Sequence, residues 1–230
     1  GCGNTVMGAR AFDANTTGDR SVAIGRDALS ANTTADFNVA VGSEAMEVST
    51  TGANNVAVGH KALTANTEGG STVAIGICAL RSQTTGDSNI GVGERAGCGL
   101  TTGNGNIIIG QGAGQGTLTG HCNVSVAYQG FTALTSGSHN VTIGTQPLFS
   151  VTTGDDNVAI GRRALFSNTT ADANVGVGSF ALNSNTTGAK NTGVGKSSLA
   201  TNSTGDCNTA VGVDALTNSE TANNNTALGV

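Results

Sequence analysis

Apolar and polar residues alternate over short stretches of this chain, and the alternating pattern returns at a fixed interval of 17 residues. A motif of the form Asn-x-x-apolar-Gly starts at position 4 and recurs every 17 residues up to position 225, without insertion or deletion. Such regularity is typical of solenoids, because each coil must stack on the preceding one in register. The pattern therefore predicts 13 full coils followed by a partial one.

The first five positions of each repeat predict a short β-strand. We number the repeat positions as columns 1 to 17, beginning at the Asn of the motif. Columns 2 and 4 carry aliphatic residues such as Val22 and Ile24, whereas column 3 is usually Ala or Gly, and column 5 is Gly in 13 of 14 repeats. This period-two alternation indicates a strand with an aliphatic face and a small-residue face. We expect the aliphatic face to fill the core, the column 1 Asn residues to bond along the axis, and Gly in column 5 to form a corner.

The remaining columns predict a second short strand and a turn. Columns 8 and 9 usually read Ala-Leu, as in Ala28-Leu29, and are assigned to the second strand. Columns 12 to 17, commonly Asn-Thr-Thr-Gly-x-x, carry turn chemistry. A helix is excluded because glycine and the turn residues would interrupt it within about ten residues. The predicted fold class is all-β: a parallel β-solenoid (β-roll) of 17-residue coils, forming one domain over residues 1–230 without a capping segment at either end.

The small-residue face, formed by columns 3, 5 and 8, is expected to pack against another chain. Each coil offers about three large apolar side chains. Burying each at roughly 1.5–3 kcal/mol barely offsets the entropy of ordering 17 residues at ~1–2 kcal/mol each. A homotrimer about the long axis would bury this face. At roughly 4.8 Å per coil, 13 coils would form a rod of about 60 Å.

Composition and charge narrow the function classes. The chain has 36 Gly, no Trp, one Tyr and 11% charged residues, with a net charge of −5 and no block of one sign. The absence of a basic patch argues against a nucleic-acid partner, and no apolar run approaches the roughly 20 residues of a membrane span. Three His residues, no nucleophile-elbow pattern and no paired carboxylates in an aromatic groove argue against an enzyme. No cofactor is expected.

Repeats such as 157–165 (Asn-Val-Ala-Ile-Gly-Arg-Arg-Ala-Leu) and 208–216 resemble the Asn-x-Val-Ala-Ile-Gly-type head repeats of YadA-like trimeric autotransporter adhesins. Very similar repeats occur in phage and viral tail fibres. The resemblance covers essentially the whole chain, although the period here is longer than in the autotransporter heads. It implies a left-handed parallel β-roll, three chains packed side by side, and a stiff surface-exposed rod without catalytic residues.

Two function classes follow from these observations. The first is a structural or adhesive segment of an extracellular or virion surface fibre, whose partner is a host-surface glycan or protein receptor. The second is a self-assembling filament whose coils stack end to end. An ice- or glycan-binding Thr ladder is a minor alternative. It is disfavoured because the paired threonines, such as Thr16-Thr17, fall in a turn rather than on a flat strand.

His121, Cys122 and His139 are the candidate metal ligands. Cys122 and His139 occupy column 17 in successive coils, and His121 directly precedes Cys122. Stacking would bring the three side chains within roughly 5–10 Å, and imidazole and thiolate groups bind zinc. The alternative is that all three are ordinary exposed turn residues. The five cysteines are scattered over the columns, so no intrachain disulfide is expected.

Five asparagines of column 12 begin Asn-x-Ser/Thr sequons and are candidate glycan acceptors. They are Asn15, Asn32, Asn168, Asn185 and Asn202. A repeated Asn-Thr-Thr turn generates such sequons by itself, so turn chemistry is the alternative explanation. The acidic residues of the same turn, such as Asp155 and Asp172, are interpreted as solvating groups.

Coils 6 to 9 depart from the consensus. Gly97 and Gly114 replace the column 9 Leu, which removes two large side chains from successive coils. We expect nearby apolar residues to compensate for this loss. They are Leu100, Leu118 and Phe131.

Overall fold

The computed structural model describes residues 1–229 and is an all-β solenoid in which each 17-residue repeat forms one coil. No helix occurs among these residues. The chain divides into two compact units, one spanning Gly1–Thr119 and the other beginning at Gly120. The fold class inferred from the 17-residue period is confirmed, whereas the expectation of one domain over 1–230 stays a prediction.

Each coil contributes one short strand, which begins at column 2. The strands of the first unit are β1 (Thr5–Met7), β2 (Val22–Ile24), β3 (Val39–Val41), β4 (Val56–Val58), β5 (Val73–Ile75), β6 (Ile90–Val92) and β7 (Ile107–Ile109). Those of the second unit are β8 (Val124–Tyr128), β9 (Val141–Thr145), β10 (Val158–Ile160), β11 (Val175–Val177), β12 (Thr192–Val194), β13 (Thr209–Val211) and β14 (Thr226–Leu228). Within each unit, sequential strands pair in parallel, and each residue faces the one 17 positions later, as in Val22↔Val39 and Val158↔Val175.

The core of each coil lies on the small-residue face of the strand, so the predicted assignment of the two faces is wrong. Column 3 residues such as Ala40 are fully buried, whereas Val58 and Ile143 in column 4 remain 36% and 43% exposed. The reason is the narrow interior. A Cβ added to Gly91 in column 3 would lie only 2.6 Å from Leu80 Cγ of column 9. No side chain fits at Gly91, and coils with a column 9 Leu carry only Ala, Gly or Thr in column 3, so the branched aliphatics of columns 2 and 4 point outward.

In most coils columns 6 to 11 form consecutive turns, although β8 and β9 extend into column 6, and the second strand predicted at columns 8 and 9 does not form within residues 1–229. Lys61 in column 7 and Leu63 in column 9 have φ of +55° and +54°, which is left-handed rather than extended. These residues bond along the coil axis. Leu63 N–H donates to the Ala79 carbonyl at 2.9 Å, and Lys61 N–H donates to the Ser43 carbonyl at 3.0 Å. Such bonds help to offset the roughly 1–2 kcal/mol cost of each left-handed residue.

Asparagine in column 1 ties each coil to the next, as predicted. Asn55 Oδ1 accepts the Thr72 N–H at 2.9 Å, and Asn55 Nδ2 donates to the Gly69 carbonyl at 2.8 Å. Asn157 makes the same pair of bonds in the second unit. Because buried polar groups must be hydrogen-bonded, a side chain with one donor and one acceptor group suits this column.

Glycine in column 5 forms the corner after the strand, as predicted. Gly59 has φ of +137°, and a Cβ at this position would lie 2.5 Å from the Gly76 carbonyl oxygen of the next coil. Both the backbone conformation and the close approach exclude larger residues. Ala127 is the exception in this column and lies within β8 without a positive φ, whereas Gly144 at the same position of β9 has φ of +128°.

Coils 6 and 7 move the large core side chain to another column. Gly97 and Gly114 leave the column 9 place empty, and Ile108 in column 3 occupies it. A Cβ added to Gly114 would lie 2.9 Å from Ile108 Cδ1, and a Cβ added to Gly97 would lie 3.2 Å from the same atom. The three residues predicted to compensate are all fully buried: Leu100, Leu118 and Phe131. The principal replacement, Ile108, was not predicted.

Candidate functional site

The outward side chains of columns 2 and 4 form what we name the aliphatic face of each unit. Strands β2–β7 in the first unit and β8–β11 in the second carry Val or Ile in both columns, and β12 and β13 carry Thr in column 2. Because the strands pair in register, equal side chains repeat at roughly 4.8 Å from coil to coil. Each aliphatic face therefore consists of two continuous ladders of half-exposed branched residues.

The aliphatic face is a continuous apolar surface rather than a set of single exposed residues. Singly exposed hydrophobic residues are normal, but contiguous apolar patches beyond a few hundred Å² indicate interfaces. Of the twelve Val and Ile residues of β2–β7, Val58 and Ile75 are 36% and 41% exposed, and the other ten are partly exposed. The first unit therefore presents a continuous row of partly exposed aliphatic side chains.

Columns 6 and 7 of the first four coils carry a network of ion pairs. Arg10 Nε lies 2.7 Å from Asp27 Oδ1, Arg26 Nη1 lies 2.5 Å from Asp27 Oδ2, and Lys61 Nζ lies 3.2 Å from Glu44 Oε2. Arg26 also pairs with Glu44. The hydrogen bond from Lys61 is the main cause that lowers the pKa of Glu44, and the bond to Asp27 raises the pKa of Arg10. Each cation of this network is matched by a carboxylate.

In the second unit, columns 6, 7 and 10 carry aromatic rings and arginines in what we name the Arg–Phe cluster: Phe149, Arg162, Arg163, Phe166 and Phe180. The rings of Phe149 and Phe166 stack with centroids 5.1 Å apart and planes 11° apart. The guanidinium carbon of Arg163 lies 4.1 Å from the Phe166 centroid, and that of Arg162 lies 4.5 Å from the Phe180 centroid. Among the described residues, neither arginine forms a salt bridge.

The three predicted metal ligands are exposed turn residues in stacked coils. His139 N–H donates to the His121 carbonyl at 3.0 Å, and Cys122 is exposed beside them. Over residues 1–229, however, no group of three or more His, Cys, Asp or Glu side chains is arranged to hold a metal ion. The metal site stays a prediction to which the geometry adds no support.

The predicted glycan acceptors point into the coil. Asn185 Nδ2, the atom to which a glycan would be attached, donates to the Gly188 carbonyl at 2.8 Å and to Asn168 Oδ1 at 3.0 Å. A glycan on this nitrogen would displace both bonds, so it would have to be attached before the coil folds. Glycosylation stays a prediction that the folded coil opposes. Four of the five asparagines are fully buried, namely Asn32, Asn168, Asn185 and Asn202, and Asn15 is partly buried.

The threonines of the turn divide into a bonded rank and an exposed rank. Thr169 in column 13 donates its hydroxyl to the Thr186 carbonyl of the next coil at 3.1 Å, whereas Thr170 in column 14 is exposed. The turn therefore presents a single rank of outward hydroxyls rather than a two-rank array. This arrangement gives no support to the Thr-ladder alternative.

Column 16 has a structural role that the sequence analysis missed. Asp172 Oδ1 accepts the Asp155 N–H at 2.8 Å, and Asp206 Oδ1 accepts the Ala189 N–H at 2.7 Å. These carboxylates cap turn amides of the preceding coil instead of only solvating the turn. The signal was present in the sequence, because Asp, Asn or Ser occupies this column in 9 of 13 coils and all three offer a side-chain acceptor oxygen.

The five cysteines are unpaired, with Cys2, Cys122 and Cys207 exposed, Cys78 partly buried and Cys98 buried. None of the described residues belongs to a helix able to cross a membrane.

No family model, curated protein or solved structure matches this chain. The resemblance to adhesin and tail-fibre repeats therefore rests on the repeat motif alone.

Proposed function

We propose that this chain is a non-enzymatic structural or adhesive segment of an extracellular or virion surface fibre, and that copies of it associate into a homotrimer through the aliphatic face. The observation that carries the proposal is the continuous apolar surface along successive coils. We expect the chains to contact one another through this surface instead of the small-residue face, because the small residues are buried within each coil.

The aliphatic face suits association between copies of the same chain. Stable interfaces bury about 800 Å² per partner, so association requires the aliphatic face to be covered along many successive coils. Ladders of branched side chains at the same ~4.8 Å spacing on every copy can interdigitate in register. Closed rotational symmetry would then cover the face on all copies at once.

The division between inner and outer columns supports a surface role. Columns 1, 3 and 9 repeat similar residues because they fill the coil, whereas columns 6, 7 and 10 change from coil to coil. Outward positions can therefore vary without altering the core. A host-surface glycan or protein receptor would be recognised through these variable columns.

Light scattering after size exclusion tests the association. We expect the wild-type chain to have three times the monomer mass, and the Val56→Lys/Val58→Lys variant to dissociate because it places charges within the aliphatic face. Thr170→Lys, on the exposed rank of the turn, is the matched control and should leave the mass unchanged.

A monodisperse wild-type monomer would contradict the proposal. Negative-stain imaging separates the remaining assemblies, since a fibre segment gives discrete short particles. Indefinite end-to-end polymers would favour the filament alternative instead.

A further inference from the structure

The Arg–Phe cluster lies in the most basic stretch of an acidic protein. Residues 157–205 contain a single acidic residue, Asp172, although the whole chain has a net charge of −5. The basic residues of this stretch are Arg162, Arg163, Lys190 and Lys196. A local excess of positive charge attracts anionic ligands to this part of the second unit.

The arginines are held by aromatic rings instead of carboxylates. Arg163 lies between two rings, with its guanidinium carbon 4.1 Å from the Phe166 centroid and 5.9 Å from the Phe180 centroid, and Arg162 covers Phe180. Contact with a ring occupies the face of a guanidinium and leaves its in-plane N–H donors available. The cluster therefore holds two guanidinium groups in place without neutralising their positive charge.

Two buried polar atoms beside the cluster lack hydrogen-bond partners. They are Arg163 Nε, a donor, and Asn183 Oδ1, an acceptor. Asn183 occupies column 10, one coil after Phe166 and two after Phe149, so its side chain continues the column of the ring stack. Because neither atom is open to solvent, a ligand that offers both an anionic acceptor and a hydroxyl donor would satisfy them once the Arg163 and Asn183 side chains turn outward.

Columns 6 and 7 of the coils next to Arg162 and Arg163 contain no acidic residue that could neutralise these arginines. In the adjacent coils these columns carry Thr145, Gln146, Ser179 and Phe180, none of which is acidic. In the first unit, by contrast, the column 7 residues Asp27 and Glu44 neutralise the flanking cations.

We propose that the Arg–Phe cluster binds a carboxylate-bearing sugar residue of an acidic glycan. Arg162 and Arg163 donate to the sugar carboxylate, the Phe149 face not covered by Phe166 packs against the apolar face of the pyranose ring, and the Asn183 side chain turns outward to accept a sugar hydroxyl. Aromatic contact combined with charge-assisted hydrogen bonds suits such a ligand better than a simple anion. The inference deepens the proposed surface-fibre function and rests on it, because it names what the fibre contacts.

Calorimetric titration at physiological salt tests this site with two probes, oligogalacturonate and sialyllactose. We expect at least one probe to bind, and its neutral counterpart, methyl-esterified oligogalacturonate or lactose, to bind at least tenfold more weakly. The Arg162→Gln/Arg163→Gln variant should lose tenfold or more in affinity. Arg81→Gln, an exposed arginine in the first unit, is the matched control and should bind as the wild type does.

Three outcomes would overturn the inference: no binding of either acidic probe, equal binding of the neutral counterparts, or equal losses in the Arg81→Gln and double variants. Circular dichroism of each variant establishes that the fold is retained, and Asn183→Ala, with an expected loss of threefold or more, gives a second reading that preserves the charge. Light scattering of the same samples separates the two proposals. A wild-type trimer that binds no acidic probe overturns only the glycan site, whereas a monomer overturns the assembly.

Discussion

Columns 6 and 7 of coils 1 to 4 and of coils 10 and 11 have the same backbone and opposite chemistry. In the first region, Arg10, Arg26 and Lys61 are matched by Asp27 and Glu44 on the same or a neighbouring coil. In the second region, Arg162 and Arg163 contact aromatic rings and no carboxylate among residues 1–229. The comparison teaches that the coil fixes where a side chain points, while the identity of its neighbours on the same and the adjacent coil decides whether its charge is neutralised within the protein.

The two regions can be compared because their coils share the same backbone conformation. A substitution that disrupts this backbone has the largest expected effect on stability. Gly161→Val, directly before Arg162, would place a Cβ 2.6 Å from the Gly178 carbonyl oxygen at φ of +127°. We expect a loss of about 3 kcal/mol or more in the free energy of unfolding, or failure to fold, because neither the conformation nor the space suits valine. Chemical denaturation measures this loss.

Ala127→Gly is the matched control in the same column. The backbone there is extended as part of β8, so glycine is tolerated and should cost about 1 kcal/mol or less. Similar losses in the two variants would show that the corner does not require glycine.

The ion-pair region and the Arg–Phe cluster can be compared by the stability that each contributes. Asp27→Ala removes the buried carboxylate that two arginines share, and we expect the free energy of unfolding to fall by about 1 kcal/mol. Arg162→Gln/Arg163→Gln breaks no ion pair among the described residues, but it removes two ring contacts worth about 0.5–1 kcal/mol each, so we expect a loss of about 1–2 kcal/mol. Urea denaturation measures both losses. If the arginine variant loses well over about 2 kcal/mol, the Arg–Phe cluster is a structural element rather than a binding site.

Most of the fold could be predicted from the period of the repeat. A strict 17-residue repeat implies stacked coils whose like residues meet, and the column 1 Asn ladder follows from it, as the bonds of Asn55 show. The orientation of the strand could not be read from alternation alone, because period two defines two faces without saying which is inside. The deciding fact is the width of the coil, which leaves only a small side chain opposite the column 9 Leu.

A signal for the correct orientation was nevertheless present in coils 6 and 7. The one large aliphatic residue in column 3 after the first coil is Ile108, and it appears where column 9 is reduced to Gly97 and Gly114. Such an exchange indicates that columns 3 and 9 share one interior. The candidate binding site was harder to predict from the sequence, because the contact between Arg163 and Phe166 depends on left-handed residues that no short pattern predicts.

The smallest expected effect concerns the pH dependence of the ion-pair region. Hydrogen bonding to Lys61 lowers the pKa of Glu44 below its ordinary value of 4.5, and Arg26 adds to this shift. The folded state therefore binds a proton at Glu44 more weakly than the unfolded state does. The resulting stabilisation is fully present above pH 4.5 and is lost as the pH falls through the lowered pKa of the folded state.

Melting temperatures of the wild type and of Glu44→Gln should therefore differ slightly at pH 7 and converge as the solution is acidified below pH 4.5. Glu68→Gln is the matched control, because Glu68 forms no salt bridge among the described residues. Its difference from the wild type should not change over the same range. Arg162→Gln/Arg163→Gln should likewise show no change, since the Arg–Phe cluster contains no carboxylate. A pH-dependent difference in that variant would reveal an acidic partner and remove the contrast between the two regions.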